Sequence, residues 1–109
     1  MVAPIKKSLL IHEIEYQDFT EGRYGNEYGE KQTVKHVRLD PKSKRIKTPN
    51  GEEFISQTTL YWDATHSDYC RFHKNGKVIF NGMEMHVGEV AIFYDDRPDK
   101  VHHLEVFLR

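Results

Sequence analysis

Cysteine is nearly missing: Cys70 is the only one in 109 residues. An internal disulfide is thereby excluded, and a reducing compartment is the easier setting. No apolar run approaches the ~20 residues that a membrane-crossing helix needs. Charge of one sign is lacking as well. Sixteen Lys and Arg stand against seventeen Asp and Glu, a formal net charge of −1. No global field therefore draws the chain to DNA or to an anionic membrane. The opening MVAPIKKSLLIHEIEY has its apolar stretch broken by His12 and Glu13. It lacks the uninterrupted apolar region of a secretory signal, so synthesis in the cytoplasm is the expectation. No segment of ten or more residues carries a clean helical period, although one short helix around Asp63 to Arg71 stays open. There is no nucleophile elbow, phosphate-binding glycine loop or familiar carboxylate motif, which argues against an enzyme and against a bound cofactor.

What is present is strand signal. One Trp, six Tyr and six Phe supply large faces for a core, and the length suits one domain over residues 1–109. In SLLIHEIEY, Leu10, His12, Ile14 and Tyr16 share one face, with Leu9 and Ile11 making its start apolar on both sides. KQTVKHVRL slips phase: Val34 and His36 lie on one face, Val37 and Leu39 on the other, and a bulge would account for the slip. FISQTTLYW alternates cleanly from Phe54 to Trp62. KVIF, MEMHV, EVAIFY and VHHLEVFL follow, with Gly88 at a second phase change, a natural bulge or bend. Three Asn-Gly pairs, at Asn50, Asn75 and Asn81, predict type I′ hairpin turns, which need positive φ at both central positions. The expected fold is all-β: a small antiparallel β-barrel or sandwich of about six to seven strands with at most one short helix. Three long loops, 17–30, 40–53 and 63–76, suggest a scaffold that presents loops.

Four groupings of residues bear on function. His66, Cys70 and His73, with Asp63 and Asp68 nearby, are ligand types that zinc accepts, but a closed site needs four ligands and no CxxC knuckle is present. A polar loop without metal is the preferred reading. The seven histidines fall mostly within strand patterns, and His102 and His103, adjacent on a strand, are expected on opposite faces and so unable to pair. Lys42, Lys44, Arg45 and Lys47 form a basic loop. In one copy it is a solvated surface; repeated around a ring it would line a hole with charge that attracts phosphates without sequence preference. Phe19, Tyr24 and Tyr28 lie among glycines, and either cover an open end of the barrel or form a subunit contact. Acidic YDDRPD, Tyr94 to Asp99, reads as a solvated turn.

PIKKSLLIHEIEY, VKHVRLDP and VIFNGMEMHV resemble landmarks of the small minor capsid or head–tail joining proteins of long-tailed bacteriophages infecting Gram-positive bacteria. The similarity spans nearly the whole chain. It implies a small β-barrel with long loops, some facing a central channel, and no active site to carry over. It also implies a head-closure, or stopper, role. Copies of the chain would form a ring beneath the portal and its adaptor, help retain packaged double-stranded DNA through non-specific contacts, and meet the tail terminator or tail tube below, without a membrane. The location implied is the virion neck. Two other functions stay open: a small β-barrel nucleic-acid-binding module and a neighbouring tail-completion protein. A zinc- or histidine-based hydrolase is the weakest alternative.

Overall fold

The computed structural model describes residues 3–22 and 25–109. The chain order is β1 (His12–Gln17), β2 (Phe19–Gly22), β3 (Gly25–Tyr28), β4 (Gln32–Asp40), β5 (Lys44–Lys47), β6 (Glu53–Ser56), β7 (Thr58–Asp63), β8 (Lys77–Phe80), β9 (Met83–Tyr94) and β10 (Val101–Leu108), after a single 3₁₀ turn at Lys7–Leu9. Among the described residues six strands close into an antiparallel barrel in the order β1-β4-β7-β10-β9-β8, and two hairpins, β2–β3 and β5–β6, stand outside it. The all-β barrel expected from the period-two pattern is the fold observed. Its closure leaves the barrel strands without unpaired edges.

Both phase changes are bulges. The β1–β4 register passes from His12↔Val37 to Glu13↔Lys35, leaving His36 as the extra residue. His36 has φ +60°, the left-handed conformation of a bulge residue. The slip turns Val34, Val37 and Leu39 all into the core. At Gly88, the β9–β10 register passes from Phe107↔Glu89 to Leu108↔Val87. The 63–76 segment forms a turn and irregular chain, not a helix.

The barrel is filled by Ile14, Tyr16, Val34, Val37, Leu39, Leu60, Val78, Val87, Val106 and Leu108. The apolar residues just before β1 are only partly used: Leu10 is buried, but Leu9 is 48% and Ile11 66% exposed. Asn81-Gly82 forms the expected type I′ turn between β8 and β9, with φ +50° and +77°. The other two pairs differ. Gly51 alone is left-handed at the β5–β6 turn, where its N–H donates to the Thr48 carbonyl at 3.0 Å; Pro49 inside the turn favours this ordinary form. Asn75-Gly76 ends a loop, and only Asn75 has positive φ.

The three loops are more ordered than the sequence suggested. The first folds into β2–β3 and the second into the β5 half of β5–β6. The third, 63–76, is a plug: Cys70 and Phe72 join the core, and Phe72 meets Tyr16 edge-on at 5.0 Å. Its backbone is tied to β4 by Asp68 N–H to the Lys35 carbonyl, 3.1 Å, and Lys35 N–H to Asp68 Oδ2, 3.0 Å. Trp62 Nε1–H donates to the Asp68 carbonyl at 2.7 Å.

Candidate functional site

The basic run is the first surface to place. β5–β6 begins at the end of β4 and lies back along the wall of β9 and β10. Ser56 Oγ donates to the Leu108 carbonyl at 2.9 Å, Phe54 sits on Gly88, and Lys74 reaches Glu52 at 3.1 Å near the turn. Strand alternation then divides the cations. Lys44 and Ile46 are half-buried on the inner face, while Arg45 and Lys47 are exposed on the outer face. The Lys44 ammonium lies 5.9 Å from the Phe107 ring centroid, a cation–π distance. Lys42 precedes the strand and is exposed. Arg45 pairs across the hairpin with Ile55, and Lys47 with Glu53. The outer face is therefore a small patch holding Arg45, Lys47 and an exposed Ile55, with Glu53 reducing its charge at one end.

The aromatic hairpin is the second surface. Phe19 and Tyr28 are cross-strand partners, and their rings meet at 5.6 Å in an edge arrangement. Lys77 on β8 lies 4.4 Å over the Tyr28 ring, and His86 on β9 is 6.2 Å from it. These rings rest on the outer barrel wall rather than across an open end. Tyr24 lies outside the described residues.

At the root of that hairpin is a polar network that the sequence did not disclose. Tyr16 Oη–H donates to Asp18 Oδ1 at 3.0 Å, and accepts the His73 backbone N–H at 2.9 Å. The Asp18 carboxylate also receives His73 Nδ1 at 3.0 Å and the Phe19 N–H at 3.1 Å. Burial opposes the charge on Asp18. The bonds from His73 and Tyr16, the His73 charge and the Phe19 N–H outweigh it, so the carboxyl is held below its ordinary value. Burial, chiefly, drives the Tyr16 hydroxyl well above its usual range. These groups border a cavity of about 390 Å³ shared with Glu30, Gln32, Tyr69 and Arg71. The network pins the end of the plug to the start of β2–β3, a structural task.

The zinc-type residues are dispersed. Cys70 points into the core at 3% exposure, and burial, aided by the Asp18 charge, pushes its thiol up to about 12. A thiol so protonated is a poor ligand or nucleophile. His73 is engaged with Asp18. Asp63, fully buried, accepts backbone N–H groups from Ile5, Thr65 and His66 at 2.9–3.1 Å. Among the described residues no three His, Cys, Asp or Glu side chains come together as a metal site. His102 and His103, expected apart, do pair: their Nδ1 atoms are 2.7 Å apart. A bulge at His102, developed below, overrides the alternation.

Geometry of this kind defines a small β-barrel scaffold with two clasped hairpins, its distinctive surfaces being a basic strand face and an aromatic hairpin rather than a cleft. The sequence matches the family described as Minor capsid protein over residues 6–108, and the chain belongs to that family. It is accordingly a structural protein of a phage particle. No curated protein and no solved structure matches it.

Proposed function

We propose that this minor capsid protein acts at the head–tail neck, as a head-closure component that retains the packaged genome and gives the tail a docking platform. The family match over residues 6–108 carries the reading; the landmark strings named above support its placement at the neck. In this proposal copies of the chain form a ring, with the portal and its adaptor above and the tail terminator or tail tube below. A head-to-tail ring needs two different patches on each subunit. The β2–β3 hairpin, with Phe19, Tyr28 and the neighbouring Tyr24, serves as one of them, since aromatic residues concentrate in interface cores. The outer face of β5–β6 turns toward the channel, where Arg45 and Lys47, with Lys42, meet DNA phosphates without sequence preference. Lys44, held at Phe107, contributes least. The chain works in the virion and is assembled in the host cytoplasm, with neither cofactor nor catalytic group in its task.

Deletion of the gene from the phage tests this. The expected result is packaged heads that lose their DNA, with free tails beside them. Heads that keep their DNA but carry aberrant tail ends would reassign the chain to tail completion. Full infectious particles would refute the proposal.

A further inference from the structure

Consecutive residues of a regular strand point to opposite faces, yet the rings of His102 and His103 meet. The β9–β10 register passes from Val101↔Tyr94 to His103↔Phe93, leaving His102 as an extra residue in β10. The bulge swings both imidazoles to one side. Two further contacts extend the pair. His102 Nε2 lies 2.6 Å from the Ala3 carbonyl oxygen, and His103 Nε2 lies 3.4 Å from Glu105 Oε2. Phe93 stacks on His103 at 4.6 Å with an interplanar angle of 2°, which fixes that ring. Ala3 begins a strap, residues 3–11, that is also held by Ile5 N–H on Asp63 Oδ1, 3.1 Å, and by Arg38 Nη1 on the Leu9 carbonyl, 3.3 Å.

Counting protons gives this chain of contacts a direction. A backbone carbonyl only accepts, so His102 must carry a proton on Nε2. A neutral His102 then has a lone pair on Nδ1, and the 2.7 Å contact requires His103 to donate from its own Nδ1. The Glu105 carboxylate accepts as well, so that link is complete when His103 also carries a proton on Nε2. All three links are satisfied with three N–H groups on two rings, one net positive charge.

We infer that the histidine pair is an acid-released latch for the N-terminal strap, in which His103 is the positioning residue that selects the His102 tautomer. A further proton on His102 Nδ1 sets two N–H groups face to face and places like charges side by side. The rings must separate, and His102 turns away from Ala3. In the opposite direction, loss of the proton from His103 Nε2 breaks only the Glu105 link. The strap is thus docked above the step that charges both rings and released below it.

The surroundings bear on the same step. Glu105 faces His103 from the same strand, 3.4 Å from its Nε2. Asp63, cross-strand from His103, is already occupied by three N–H groups. His102 borders a cavity of about 200 Å³ with Pro4, Thr65, Asp95, Arg97 and Lys100. Asp95 is paired with Arg97 at 2.6 Å, Asp96 follows it in sequence, and Lys100 lines the same cavity as His102.

Imidazole ¹⁵N spectra of the labelled full chain, with the Ala3 carbonyl and Ile5 amide signals, followed from about pH 9 to about pH 4, test the latch. With the strap docked, His102 should carry its proton on Nε2, and His103 should donate from Nδ1. On acidification the strap signals should move in step with protonation of His102 Nδ1. His102→Gln keeps a donor near the Nε2 position and cannot take a second proton, so its strap should stay docked in acid. His103→Phe keeps a stacking ring but removes the Nδ1 donor, and should speed Ile5 amide exchange roughly tenfold at neutral pH. A His102 proton on Nδ1 in the neutral protein would overturn the inference. So would strap signals that move identically in wild type and His102→Gln, which would assign release to Asp63.

Discussion

A β-carbon built on Gly88 would fall 2.5 Å from Cε2 of Phe54. The bulge glycine of β9 is therefore also the seat of the ring that holds β5–β6 to the barrel. Gly88→Ala should force the ring off its seat and cost about 1–3 kcal/mol, the usual range for overpacking. Phe54→Ala loses the same contact from the other side, so the double variant should lose less than the sum of the two. Denaturant titration of the four proteins measures this, and strict additivity would mean the contact is absent.

Thr59 offers a change of opposite sign. Its hydroxyl is buried and, among the described residues, has no hydrogen-bond partner. Valine has nearly the same shape without a polar group to desolvate. Thr59→Val should stabilise the chain by about 1 kcal/mol, seen as a higher denaturation midpoint at unchanged slope. A lower midpoint would mean that the hydroxyl is satisfied.

Acid should loosen the junction of plug and hairpin. The Asp18 carboxyl is held below its ordinary value in the folded chain. Its contribution is therefore present above the ordinary carboxylate range and lost as pH falls through the folded value. The group is half exposed, so water screens the effect and a small one is expected. Denaturation midpoints between about pH 2 and about pH 5 should fall less steeply for Asp18→Asn than for wild type. Parallel curves would show that the carboxylate is not linked to folding.

Reversing the outer charges of β5 separates fold from function. Arg45 and Lys47 are exposed, and no ion pair engages them among the described residues. Arg45→Glu with Lys47→Glu should cost no more than about 1 kcal/mol, because Lys47→Glu sets a second carboxylate opposite Glu53. Phage carrying both should assemble joined particles that retain DNA poorly, read by nuclease protection of the genome. Full protection would remove these side chains from contact with DNA.

Much of the barrel was legible because strand alternation records burial directly. Val34 to Leu39 announced the bulge at His36 by a broken phase, Gly88 announced the second, and Asn81-Gly82 wrote its own turn. The hairpins outside the barrel were less visible. β5 carries one apolar residue, Ile46, and β2–β3 is glycine-rich, so both depend on contacts with distant strands rather than on local pattern. The plug left a faint signal, Cys70 and Phe72 two apart in a polar stretch. The bulge at His102 left none, since only Val101 precedes it in β10 and one residue cannot show a change of phase. For the same reason the histidine contact could not be read in advance, and the Asp18–His73 pair joins residues too far apart in sequence for a spacing rule. The basic run was visible as composition, but only the strand could divide it into Arg45 and Lys47 outside and Lys44 inside.

The placement at the neck is tested most directly by reconstructing the head–tail junction of the virion. The account predicts a ring of six-stranded barrels between the portal complex and the tail, with the β5 face lining the channel. A neck without this barrel, or the barrel found on the capsid shell instead, would contradict it.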